Sequence, residues 1–127
     1  IEDRVFDAFR NEYAKAAKVE VDKERYDEAI ELFKLAVIDD PCNSALHDRF
    51  AWLYLNKKSD PINALAHAKK AVELNPHNAD ALVLVALSYY HSDDLKNGDA
   101  YIDLAEAEGR TKSFCLLRKA IARYHYA

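Results

Sequence analysis

YDEAIELFKLAVIDDP, residues 26–41, is the stretch on which the fold turns. Tyr26, Ala29, Ile30, Phe33, Ala36 and Val37 fall at three- and four-residue steps, the apolar face of one helix. Asp40-Pro41 then stops it. The segment carries no nucleophile, no metal-ligand spacing and no glycine loop, so its meaning lies in its recurrence. INALAHAKKAVELNP, residues 62–76, sets Ala64 against Ala29, Ala71 against Ala36 and Pro76 against Pro41, all at the same interval. GDAYIDLAEAEGR, residues 98–110, sets Gly98 against Ala64 and Ala105 against Ala71, at an interval shorter by one. The helices preceding these copies recur with the two intervals exchanged: Ala17 to Ala51 is the shorter, whereas Ala51 to Ala86 and Tyr54 to Tyr89 are the longer. Both sets agree if the second repeat holds one extra residue within 56–63, in the turn NKKSDPIN, where added length costs little.

Periodicity predicts helices over 2–22, 24–40, 44–57, 61–75, 79–92, 94–108 and 112–126. Asp60-Pro61 reads as an N-cap followed by proline at the first helical position, with Ser44, Asn78 and Ser113 as further caps. Val5, Phe6 and Phe9 are expected to fold over the open end of the first unit. The last helix carries a stripe of Phe114, Leu117, Ile121 and Tyr124 beside Arg118, Lys119 and Arg123. It reads as a solvating cap or as the first helix of a fourth unit.

A helix pair that repeats about every 34 residues resembles the tetratricopeptide repeat. The residues that carry the resemblance are Ala17, Ala29, Phe33, Ala36 and Pro41 in the first unit and Ala51, Tyr54, Ala64, Ala71 and Pro76 in the second. The third contributes Ala86, Tyr89, Gly98, Ile102 and Ala105. Small residues let paired helices approach and aromatics fill the space beside them. The resemblance implies an all-α, right-handed helix-pair solenoid forming one domain: repeats at 10–43, 44–78 and 79–112, an N-terminal extension over 1–9 and a C-terminal capping helix over 113–127. Glu20 departs from the pattern where a Tyr belongs, and Arg110 where a Pro belongs, leaving Gly109 to end the helix.

Composition narrows the function classes. Half of the 127 residues are apolar, enough for one core. A net charge of −4, a pI of about 5.7 and dispersed basic residues argue against a nucleic-acid partner. Cys42 and Cys115 are too few for a disulfide framework and are expected as reduced thiols. The longest apolar run, 81–87, is far short of the roughly 20 residues that cross a bilayer. A cytoplasmic location without membrane insertion is therefore expected. A chain that starts at Ile1 and contains no Met is expected to be a processed or excised piece. No catalytic motif and no cofactor or metal site is expected. His91 and His125, one repeat apart, recur without a Cys or carboxylate in ligand spacing.

The resemblance assigns the first helix of each unit to a concave surface. That surface would present Asn11, Ala14, Lys18, Val21 and Asp22, then Ala45, Asp48, Trp52, Leu55 and Asn56, then Asp80, Val83, Leu87, Tyr90 and His91, joined by Leu117, Ile121, Tyr124 and His125. FAWLYL and ALVLVALSYY are apolar nearly all round, which leaves a stripe of Trp52, Leu55, Val83, Leu87 and Tyr90 without an evident neighbour. The expected function is a scaffold binding an apolar or amphipathic peptide or helix of a partner protein, with Trp52 and Tyr90 as anchors and Lys18, Arg49 and His91 tuning charge. Chaperoning of a secreted or aggregation-prone client and self-association within a larger protein are the alternatives. The family's carboxylate clamp for chaperone tails would fall on Asn11, Lys15, Arg49, Asp80 and Leu84, and Asp80 and Leu84 break it.

Overall fold

The structure, a computed structural model, describes residues 11–126 and the side chains of 11–124. The predicted extension over 1–9 and the side chain of His125 lie outside the described residues. Among the described residues seven helices follow one another: α1 (Glu12–Asp22), α2 (Tyr26–Asp39), α3 (Ser44–Asn56), α4 (Pro61–Leu74), α5 (Ala79–His91), α6 (Leu95–Ala107) and α7 (Lys112–Tyr126). Among the described residues there is no strand. α1 packs on α2, α3 on α4 and α5 on α6, each pair leans on the next, and α7 closes against α6 and α5.

Small residues explain the pairing. Ala17, Ala29, Ala51, Ala64 and Ala86 are fully buried, so the backbones of paired helices meet without a side chain between them. In the third pair Gly98 replaces alanine, and a Cβ there would stand well inside van der Waals contact distance of the Tyr90 ring. Between the first and second pairs the seam is aromatic. Phe50 lies 5.4 Å from Phe33 and 4.2 Å from His67, centroid to centroid. His47 Nε2 sits 3.1 Å from the Pro41 carbonyl, and donating its proton there leaves Nδ1 to accept from His67 Nδ1, 3.4 Å away. Burial lowers the pKa of both rings, that of His67 to about 4, which keeps the pair neutral at pH 7.

Three turns locate the extra residue. Each helix pair is joined through one non-glycine residue at positive φ: Glu24 (61°), Ser59 (50°) and Asp93 (61°). The amide after each bonds back into the preceding helix, from Arg25 to the Glu20 carbonyl, Asp60 to Tyr54 and Asp94 to Tyr89. The second of these closures spans one residue more, and Lys58 is that residue, between the C-cap Lys57 and Ser59.

The caps correct the sequence reading in three places. Asn11 has an extended backbone (ψ 119°) and accepts from the Ala14 amide, so the predicted helix over 2–22 does not run unbroken through it. Its Nδ2 donates to the Ala36 carbonyl at 3.1 Å and fastens α1 to the end of α2. Asn43 caps α3, whereas Ser44 donates to the Ala71 carbonyl at 2.8 Å. Thr111, rather than Ser113, accepts from the Phe114 amide. Asp60 and Asn78 cap as predicted. At the end of α6, Gly109 takes φ 115° while its own amide bonds to Glu106 and that of Arg110 to Ala105. That pair of bonds satisfies carbonyls a helix end otherwise leaves open.

Candidate functional site: the concave groove

The first helix of each pair, together with α7, bounds a groove of about 600 Å³. α1 contributes Ala14, Lys18, Val21 and Asp22; α3 contributes Asp48, Arg49, Trp52 and Asn56; α5 contributes Asp80, Val83, Leu84 and Leu87. Arg110, Phe114 and Arg118 complete the wall on the α7 side. A smaller pocket of about 90 Å³ shares Asn56, Leu87 and Arg118 with it and adds Leu55, Tyr90, His91, Ile121 and Ala122.

Of the residues expected in the groove, Lys18, Asp48, Arg49, Trp52, Asn56, Val83 and Leu87 border the larger cavity, and Leu55, Tyr90, His91 and Ile121 border the smaller one. Leu117 and Tyr124 border neither; they face solvent, 57% and 86% exposed. The reason is the rotation of α7, which turns Cys115 and Ala122 inward and therefore puts Leu116, Leu117 and Tyr124 on its opposite side.

The reading of Tyr90 as an aromatic anchor needs correction. It is 1% exposed, its ring lies on Gly98 and its hydroxyl donates to Asp99 at 2.6 Å, with burial as the main force raising its pKa. Tyr90 is thus a core residue that only borders the small pocket. Leu55 and Val83 are also buried. Trp52 is different: 40% exposed and bordering the cavity, with Lys57 Nζ 5.7 Å from its ring centroid.

The polar groups are mostly engaged with each other. Lys18 pairs with Asp22 at 3.3 Å, and Arg110 pairs with Asp80. Asp48 accepts from Asn78 Nδ2 at 3.2 Å, and burial, aided by the charge of Asp80, raises its pKa to about 6. At the positions of the family's carboxylate clamp, Leu84 is buried, Asp80 is held by Arg110 and Asn11 is spent on its cap. Arg110, Phe114 and Arg118 are groove residues that the sequence reading misses; Phe114 and Arg118 stand one turn apart on a face of α7, and Arg110 lies in the turn before it. Among the described residues no group of three or more His, Cys, Asp or Glu side chains could hold a metal ion, and no helix is long and apolar enough to cross a membrane.

No family model matches the sequence, and neither does any curated protein. A solved structure does match in shape: the first tetratricopeptide-repeat domain of Spaghetti (RPAP3) bound to the HSP90 peptide SRMEEVD. It is 16% identical, the match covers 87% of this chain and 86% of that one, and the TM-score is 0.80. The chain therefore has the tetratricopeptide-repeat fold.

Proposed function

We propose that this tetratricopeptide-repeat fold serves as a scaffold that seats a peptide segment of a partner protein in its concave groove. The observation that carries the reading is a 600 Å³ groove whose floor, Trp52, Val83, Leu84 and Leu87, is apolar, with the ring of Trp52 left 40% exposed in it. An aromatic in such a place gains by covering, because burying apolar surface contributes about 25 cal/mol per Å². The Spaghetti domain was solved with a peptide bound, and this supports the same use of the fold here. Trp52 is the only tryptophan of the chain, so its fluorescence reports on the groove directly. The test is capture of partner proteins by wild type beside Trp52→Ala, with circular dichroism confirming that the variant folds. Unchanged partners would sink the groove reading. Tyr90 is left out of the variant, because removing it would hollow the core.

A second reading, self-association, is favoured by the outward Leu116, Leu117 and Tyr124 on α7. Sedimentation velocity over a range of concentrations tests it. A Leu117→Lys variant should lose any dimer that forms.

A further inference from the structure

The α7 wall of the groove holds an unbalanced charge. The guanidinium carbons of Arg110 and Arg118 lie 5.0 and 5.2 Å from the centroid of the same ring, that of Phe114. Arg110 has Asp80 as its partner, whereas among the described residues no carboxylate pairs with Arg118. The Nε–H of each arginine is buried and has no acceptor among the described residues. A buried donor on a charged group loses its hydration without recovering it in a hydrogen bond. Among the described residues, the rest of the groove does not supply the missing acceptor. Asp22 is taken by Lys18, Asp80 by Arg110, and Asp48 accepts from Asn78. Among the described residues, four cations face three carboxylates in this cavity, on a chain whose net charge is −4.

We infer that Arg118, seated with Arg110 on the ring of Phe114, receives the carboxylate of a Glu or Asp side chain in the groove's occupant, next to the apolar side chain that covers Trp52. This deepens the groove reading above and rests on it. A guanidinium stacked on an aromatic keeps its fork oriented, and a carboxylate fits that fork through two parallel N–H···O bonds. Arg118 borders both the groove and the smaller pocket beside it. A peptide can therefore run past it, which favours an internal acidic residue over a chain terminus. The site draws on neither Asn11, Lys15, Asp80 nor Leu84, so it is not the family's clamp restored.

The probes are three libraries of acetylated and amidated heptapeptides, with leucine fixed at the fourth position. The first has Glu and Asp as its only charged residues, the second Lys and Arg, and the third none. Blocked termini leave side chains as the sole source of a carboxylate. Binding is read from Trp52 fluorescence, and the Arg Nε–H signals are followed by NMR. The acidic library should bind about tenfold more tightly than the neutral one, a factor typical of a charge-assisted pair, and should shift the Arg118 Nε–H. Arg118→Gln should abolish that preference, so that the acidic and neutral libraries bind the variant alike. Arg118→Lys, which keeps the charge but not the fork, should retain part of it. If all three libraries bind alike, or the basic one binds best, the inference falls while the groove reading stands. If none perturbs Trp52, the groove reading falls with it.

Discussion

Asp48 shows how a single residue of the groove is held at a cost. Its pKa is raised from 3.8 to about 6 because burial penalises the carboxylate, and the one amide of Asn78 does not make up for it. The folded state therefore binds this proton more tightly than the unfolded chain does. Stability from this group is greatest below pH 3.8, declines as pH rises from there through about 6, and is level above. Asp48→Asn keeps an acceptor for Asn78 and removes the charge. It should raise stability at pH 7.5 by about 1–3 kcal/mol and give no gain below about pH 4, as read from urea midpoints at the two pH values. A gain that is the same at both would show that burial of charge is not the cause. Gly98 is the second position where one atom decides. Gly98→Ala raises helix propensity, yet its methyl group would meet the Tyr90 ring, which Asp99 and the surrounding core hold in place. Overpacking of this kind costs about 1–3 kcal/mol, so denaturation should show the variant less stable. A more stable variant would mean that the ring can move aside.

At the scale of elements, the alanines and their regular period make the helix pairs readable, because close backbone approach requires small residues at fixed places. The sequence also narrows the extra residue to 56–63, and the turn geometry resolves it to Lys58. Ser44 and Asn43 illustrate what is not readable. Both are competent caps by chemistry, and the choice depends on the Ala71 carbonyl, 27 residues away, which takes the Ser44 hydroxyl. The orientation of α7 is likewise hidden. Its apolar residues outnumber those one face can hold, and the contacts of Cys115 with the Ile102 carbonyl, of Lys119 with Asp103 and of Arg123 with Asp99 select which stay inside. The turns give a prediction of their own. Glu24 is exposed and holds φ at 61°, a region where a Cβ crowds the following carbonyl. Glu24→Gly should therefore stabilise the protein by roughly 1 kcal/mol, measured as a shift in urea midpoint with unchanged slope. Loss of stability would mean that the glutamate makes a contribution its exposure conceals.

For the whole molecule, the chain behaves as a row in which each pair of helices touches only its neighbours, and this makes stability local. One buried cluster joins Ala14, Ala17, Ala29, Ile30, Phe33 and Phe50 at the first end. Another joins Ala86, Tyr90 and Ile102 to Cys115 and Ala122 of α7 at the other, and the two share no residue. Arg123 with Asp99 and Lys119 with Asp103 pin α7 to α6 from outside. Removing residues 112–127 would uncover Tyr90 and Ile102, strip both ion pairs and open the α7 side of the groove. In a molecule held together by nearest neighbours, that loss should weaken α5 and α6 first, α3 and α4 less, and α1 and α2 least. Hydrogen exchange with mass spectrometry measures this gradient peptide by peptide. Protection over 79–107 should fall by at least about tenfold, the equivalent of 1.4 kcal/mol, while protection over 12–39 should change little. A uniform fall across all six remaining helices would instead mean that the seams between pairs are strong enough to make the row unfold as one unit, and that the aromatic contact of Phe33, Phe50 and His67 couples the two ends.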